Sequence, residues 1–221
     1  MILRDLPVLA SWSGGKDSCL ALWRAVQAGA EPRALLTMLD EAGGRSRSHG
    51  VRPEVLALQA RAMDLPQRLG RASWDDYREV FIGQLRAAVA EDGVEAVVFG
   101  DIDLDGHREW EESVCVEAGL AAVLPLWRQP RAELAREFVA AGFVARVVMV
   151  NTALTDEKWL GRTFDQRLIE DMMADGVDPC GEAGEFHTLV LDGPLFKRPL
   201  ALRDGAVARL GEYRALDLLP A

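Results

Sequence analysis

Val8-Leu9-Ala10-Ser11-Trp12-Ser13-Gly14-Gly15-Lys16-Asp17-Ser18-Cys19 decides how this chain is read. An apolar run from Val8 to Trp12 ends in a Ser-Gly-Gly turn. A helical pattern follows at once, with Cys19, Leu20, Leu22, Trp23 and Val26 on one face at 3.6 spacing and Gly29 as the stop. The pattern predicts strand, glycine loop, helix. Such a turn leaves free backbone N–H groups at a helix N-terminus, where the dipole favours an anion. Gly14 and Gly15 lack a Cβ, so a phosphate can approach the backbone closely. Ser13 and Ser18 offer hydroxyl donors, and Lys16 adds a positive charge. The alternative is a tight βα turn that merely contains Gly-Gly.

The spacing matches neither a Walker loop nor a Rossmann fingerprint. S-G-G-K-D-S after a strand resembles a third phosphate loop, the PP-loop of ATP pyrophosphatases. In that family the loop holds the pyrophosphate end of ATP.

Working outward, Ala34–Met38 reads as a second strand, followed by a polar stretch from Asp40 to Ser48. Pro53 opens an amphipathic helix through Val55, Leu56, Leu58, Gln59, Ala62 and Met63. Gln67–Gly70 is a short strand. Ser73 is read as the N-cap of a helix carrying Tyr77, Val80, Phe81, Leu85, Ala88 and Val89, which Gly93 closes. Ala96–Phe99 is a strand apolar on both faces. A helix with Trp110, Val114 and Cys115 stops at Gly119, and a fifth strand spans Ala121–Leu124. Strands alternating with helices predict an α/β fold with a doubly wound, five-stranded parallel sheet. Ligands bind beyond the carboxyl ends of such strands. The loops after the first, second and fourth strands therefore form the candidate rim, with adenosine expected near Leu39.

The rhythm changes after Leu126-Trp127. We divide the chain at residues 1–127 and 128–221, the second part being a smaller α+β domain. In it we read a helix over Arg131–Ala140, a valine-rich strand over Phe143–Asn151, a short helix capped by Thr155, a helix over Phe164–Met173 and a strand over Thr188–Leu191. The tail holds two short β-like runs, Pro199–Leu202 and Val207–Leu210.

The 221 residues carry a net charge of −10 and a pI of about 4.9, with 49% hydrophobic and 27% charged residues. That balance suits a globular protein and counts against nucleic acid as a partner, which would call for a basic face. The start, Met1-Ile2-Leu3-Arg4-Asp5, shows no signal-peptide core, and no apolar run is long enough to span a bilayer, so a cytoplasmic protein is expected. Three widely spaced cysteines, Cys19, Cys115 and Cys180, fit a reducing compartment and provide no zinc framework.

A second cluster is Cys180-Gly181-Glu182-Ala183-Gly184-Glu185-Phe186-His187-Thr188. It concentrates a thiol, two carboxylates and an imidazole beside two glycines. Glu182 and Glu185 can serve as bases or hold an amine, and His187 can serve as a general base. The bland alternative is a solvated loop ending in a strand-end histidine. Asp101-x-Asp103-x-Asp105-Gly106-x5-Glu112 matches the calcium loop of EF-hands letter for letter. A strand leads into it rather than a helix, however, and Arg108 stands where a core aliphatic belongs. We read it instead as an acidic rim loop, where Asp101 or Asp103 can hold Mg²⁺ through water.

S-W-S-G-G-K-D-S, Ser48-His49-Gly50, Gly100-Asp101-Ile102, Pro125-Leu126-Trp127, Trp159-Leu160-Gly161 and C-G-E-A-G-E-F-H-T together resemble, in order and spacing, the diphthine–ammonia ligase family, over nearly the whole chain. The resemblance implies an adenine-nucleotide α-hydrolase-like domain with a small C-terminal domain. It implies an ATP-dependent ligase that adenylates a carboxylate, releases pyrophosphate and lets ammonia displace AMP. The family's acceptor is protein-bound diphthine. The Ala-, Arg- and Gly-rich composition reads as bacterial, which leaves the acceptor open, and a homodimer is among the assemblies allowed.

On this reading Lys16, Asp17, Glu182, Glu185 and His187 are the candidate catalytic residues. Ser11, Ser13, Gly14, Gly15, Lys16, Asp17, Ser18, Thr37, His49, Gly100 and Asp101 are the candidate ATP-binding residues. Cys180, Gly181, Glu182, Gly184, Glu185, His187 and Thr188 are candidates for the acceptor or ammonia. Asp17 and Asp101 are candidates for Mg²⁺. The alternatives are a PP-loop enzyme acting on another acceptor, by RNA thiolation or small-molecule amidation, and an ATP-binding regulator without catalysis.

Overall fold

Two sheets of opposite character account for the strands. A computed structural model describes residues 2–221; Met1 lies outside them. The first sheet contains β1 (Pro7–Ser11), β2 (Glu31–Leu39), β3 (Gln67–Arg71), β4 (Ala96–Val98) and β5 (Ala121–Val123) in the order β3-β2-β1-β4-β5. Every pairing is parallel, with Leu9 opposite both Ala34 and Val97. This is the doubly wound sheet that the alternating pattern predicts.

The helices are α1 (Lys16–Gln27), α2 (Pro53–Met63), α3 (Tyr77–Asp92), α4 (Asp105–Ala118), α5 (Arg131–Ala140) and α6 (Gln166–Ala174). No helix among the described residues is long and apolar enough to cross a membrane. Leu9, Leu36, Phe81, Leu85, Val97, Phe99 and Val114 form one buried cluster of sheet, α3 and α4. Each such side chain contributes roughly 1.5–3 kcal/mol by leaving water.

The second sheet is antiparallel, in the order β7-β6-β9-β8, from β6 (Val144–Asn151), β7 (Phe186–Asp192), β8 (Leu202–Leu210) and β9 (Tyr213–Pro220). Phe138 stacks on Phe143 at 4.9 Å between centroids, meets Phe164 edge-on at 5.8 Å, and Phe164 continues to Phe186.

By contact density the chain forms two compact units. Among the described residues the first comprises 2–13, 17–48 and 64–128, and the second comprises 14–16, 49–63 and 129–221. The second unit thus takes in two excursions from the N-terminal half. Helix α2 joins it through Arg52, whose Nε and Nη2 grip the Asp217 carboxylate at 2.7–2.9 Å, and through the Ala62 carbonyl, which accepts from the Lys197 N–H.

Several local expectations are corrected. Ser73 does not cap α3. Its N–H and hydroxyl both donate to Asp76 Oδ1, and Asp76 occupies the N-cap position. Thr155 does not cap the short 3-10 turn Glu157–Trp159; Asp156 does, accepting from the Lys158 N–H, while Thr155 Oγ1 accepts from Trp159 Nε1. Helix α6 begins at Gln166 because the Asp165 side chain caps it. β7 begins at Phe186, two residues before the expected start at Thr188, so Phe186 and His187 are also strand residues. The tail is a long hairpin, and its second strand, β9, lies between β6 and β8.

Candidate active site

In the second unit the glycine loop is held by partners far away in sequence. Gly14 adopts a φ of +82°, a region that glycine reaches without Cβ strain. Its carbonyl accepts from Gln59 Nε2 at 3.0 Å and from the Val190 N–H at 2.9 Å. Gln59 Nε2 also donates to the Val190 carbonyl at 2.8 Å, so one fully buried amide ties α2, the loop and β7 together. A Cβ on Gly15 would lie 2.2 Å from His49 Cε1 and 3.1 Å from the Thr188 carbonyl oxygen.

Lys16 is 4% exposed. Its backbone N–H donates to Thr188 Oγ1 at 3.0 Å, and its Nζ donates to the Cys180 carbonyl. The ammonium also lies 5.4 Å from the Phe186 ring centroid and 6.0 Å from that of Phe164, within cation–π range. The sequence separates the phosphate loop from the Cys180–Thr188 segment. In the folded unit, Lys16 bonds to that segment through both main chain and side chain.

His49 and His187 stack with centroids 4.6 Å apart and ring planes 27° apart. His49 Nδ1 is 3.1 Å from the Thr188 carbonyl oxygen, and the Tyr213 ring lies 6.3 Å beyond His187. Burial lowers both imidazoles. His187 falls to about 4 with a further contribution from Lys16, and His49 is lowered well below its usual value by burial, His187 and Lys16, against the Thr188 hydrogen bond. His49, expected among the ATP-binding residues, is therefore a neighbour of the candidate base.

The Cys180 loop is shaped by Asp178, which sequence reasoning missed. Asp178 Oδ1 accepts from the Cys180 N–H at 2.9 Å, and Oδ2 accepts from the Glu182 N–H at 3.1 Å and from Arg131 Nη1 at 2.7 Å. An aspartate two residues before a turn, bonding its own backbone, is a local signal that could have found it. Glu185 Oε2 accepts from the Ala183 N–H at 3.1 Å, and Gly181 and Gly184 both have positive φ. Cys180 is buried, and its Sγ donates to the Arg131 carbonyl.

In the first unit, Ser13 Oγ and Ser18 Oγ are 3.0 Å apart. Gly100 lies against the α1 start: a Cβ there would be 2.7 Å from the Ser18 nitrogen and 2.8 Å from the Asp17 carbonyl carbon. Ser13, Asp17, Ser18 and Gly100 are thus brought together. Ser11 ends β1 in its pairing with Leu36. Thr37 is buried, and its hydroxyl donates to the Trp12 carbonyl at 2.6 Å, an internal tie at this rim. The Asp40–Ser48 stretch borders an open hollow of about 770 Å³, where the Arg47 guanidinium lies 4.3 Å from the centroid of the exposed Trp74 ring.

Asp101 Oδ1 is 2.7 Å from His107 Nδ1. Glu111 is 4% exposed and its Oε2 has no partner; burial first, then the hydrogen bond and charge of Asp101, raise its carboxyl to about 11. Residues 105–112 are helical, so the calcium-loop match cannot wrap a cation. Among the described residues no group of three or more His, Cys, Asp or Glu is arranged to hold a metal ion. Burial raises the Cys19 thiol well above its usual value, and burial with Glu111 raises Cys115 to about 12. Neither is a thiolate suited to sulfur relay.

Residues 6–122 match the family model for the diphthamide synthase N-terminal domain, and residues 130–211 match that for its C-terminal domain. A protein named diphthine–ammonia ligase from Homo sapiens is 29% identical over 225 residues, covering 90% of this chain and 84% of that protein. The Bos taurus protein of that name is 30% identical, covering 90% and 84%. The Schizosaccharomyces pombe protein is 30% identical over 91% of this chain, but the chain spans only 37% of its length. Among solved structures, one described as a predicted subunit of tRNA methyltransferase from Methanocaldococcus jannaschii aligns at a TM-score of 0.46 and 16% identity, covering 86% of this chain and 98% of that one. The chain belongs to the diphthamide synthase family and is an ATP-dependent ligase of the kind that family contains.

Proposed function

We propose that this chain activates a carboxylate with ATP as an acyl-adenylate, releases pyrophosphate, and transfers ammonia to the activated carbonyl to form an amide. The acceptor class is that named for its relatives, a diphthine carboxylate. Residues 1–127 would carry activation and residues 128–221 the acceptor side, in the cytoplasm.

A carboxylate at neutral pH is a poor electrophile, and adenylation gives it a leaving group. The departing pyrophosphate develops negative charge. The positive end of the α1 dipole, the Ser13 and Ser18 hydroxyls and the Lys16 ammonium are suited to meet it. Asp17 and Asp101 are candidates to hold Mg²⁺, which needs only one or two carboxylates beside phosphate oxygens. When bound it would neutralise phosphate charge. At Gly14 and Gly15 a Cβ would run into Gln59 and His49, so the two glycines let the loop pack against those side chains. Glu182 and Glu185 would hold ammonium, and His187 would take a proton. The Cys180–Thr188 segment would close over the adenylate and exclude water.

The observation that carries this reading is the bonding of Lys16 to Thr188 and Cys180, which joins a phosphate-type loop to the most reactive segment of the chain. The test is incubation with ATP, Mg²⁺, ammonium and a diphthine-bearing peptide, with products resolved by phosphorus NMR. AMP and pyrophosphate, with an amidated peptide, are expected. ADP and phosphate would exclude adenylation, and unchanged ATP would favour a binding regulator.

A further inference from the structure

His49 does more than line the loop. A carbonyl oxygen can only accept, so the 3.1 Å contact with Thr188 makes Nδ1 the protonated nitrogen of His49. Its Nε2 is then left with a lone pair. The ring is fixed on one side by Gly15, where no Cβ intervenes, and on another by the stacked ring of His187. Two imidazoles in stacking contact, beside a buried ammonium, cannot both become cations without strong like-charge repulsion. They therefore behave as a coupled pair.

We infer that His49 is a second proton acceptor, and that His49 and His187 together take one proton when ammonia attacks the activated carboxylate. The inference rests on the ligase reading above. In the step, the ammonia nitrogen forms a bond to the carbonyl carbon. The bond from that carbon to the AMP oxygen breaks, and AMP leaves with the electron pair. The nitrogen sheds one proton, which passes to an imidazole nitrogen of the pair and then to solvent. Lys16 supports the arrangement, because its charge keeps the pair in the basic form that can receive the proton. Lys16 acts on both rings, and His187 acts on His49 as well.

The chain has only three histidines, and the third, His107, is exposed, so each ring can be followed by carbon–proton NMR of histidine-labelled protein. His49→Asn keeps a side-chain N–H for the Thr188 carbonyl but cannot take a proton. His187→Gln should move the His49 titration upward, and Lys16→Met should move both rings upward. In His49→Asn and in His187→Gln, ammonia transfer to a diphthine-bearing peptide should fall about 100-fold relative to the same variant's ATP–pyrophosphate exchange. If His49→Asn fails to fold, His187→Gln supplies both readouts. An unmoved His49 titration in His187→Gln, or transfer in step with exchange, overturns the inference. Wild-type protein that shows no pyrophosphate exchange overturns the ligase reading instead.

Discussion

The backbone N–H of Lys16 donates to the hydroxyl of Thr188 at 3.0 Å, across 172 positions of sequence. Both groups are buried. Thr188→Val keeps the shape but removes the acceptor, leaving a buried N–H without that partner at a cost of about 1–3 kcal/mol. The variant should melt lower and release pyrophosphate more slowly, whereas Thr188→Ser should restore both. Calorimetry with a pyrophosphate assay checks this. A Thr188→Val protein that matches wild type in both would mean that the bond does not hold the loop.

Gly15 should tolerate no side chain. A Cβ would lie 2.2 Å from a ring carbon of His49 and close to the Thr188 carbonyl, so Gly15→Ala must displace the imidazole. Overpacking of this kind typically costs about 1–3 kcal/mol. The His49 ring resonances should shift more than those of His107 in the Gly15→Ala protein. Unchanged His49 resonances would show that the ring moves aside freely.

These two contacts mark where the sequence stops speaking. The parallel strands were legible because Val8–Trp12, Ala34–Met38 and Ala96–Phe99 are apolar runs bounded by glycine or charge. Gly93 and Gly119 close α3 and α4 where the pattern places them. The loop chemistry was legible too, because Ser-Gly-Gly-Lys carries its meaning locally. The bonding of Lys16 to Cys180 and Thr188 has no local signal. Gln59 was read as one more residue of an amphipathic face, yet its amide is the donor that ties Gly14 to Val190. β9 went unread because Tyr213–Pro220 is mostly half-buried and lacks a clean alternation. Its partner β8 is largely exposed and interrupted by Gly205.

Glu111 should make stability fall with rising pH. Its folded carboxyl is raised to about 11 from an ordinary 4.5, mainly by burial and further by Asp101. The folded chain keeps a proton that the unfolded chain has already released. This contribution is complete below about 4.5 and is lost as pH climbs toward the folded value. Glu111→Gln is neutral throughout and removes the dependence. It should melt above wild type at pH 8, by about 2–4 °C for each kcal/mol involved, with the gap closing toward pH 4.5. Melting curves across that range decide the matter, and a gap that does not vary with pH would show that Glu111 ionises freely in the fold.

Asp178 should govern the Cys180 loop without touching the phosphate loop's own backbone. Its two oxygens accept from the Cys180 and Glu182 N–H groups and from Arg131. The Cys180 carbonyl in turn accepts from Lys16 Nζ, so the turn that Asp178 fixes also sets where the ammonium is held. Asp178→Ala removes all three acceptor contacts and leaves two backbone donors to find water. Asp178→Asn keeps one oxygen and therefore part of the turn. Amide formation should fall in the order wild type, Asp178→Asn, Asp178→Ala, with the alanine variant losing roughly 10–100-fold through misplacement of the loop. ATP–pyrophosphate exchange should fall less than transfer in each variant, because Gly14 is still held by Gln59 and Val190. Measuring exchange and transfer on the same preparations separates the two effects. Equal losses in both assays would mean that Asp178 acts through Lys16 on the phosphate loop rather than on the segment that receives ammonia.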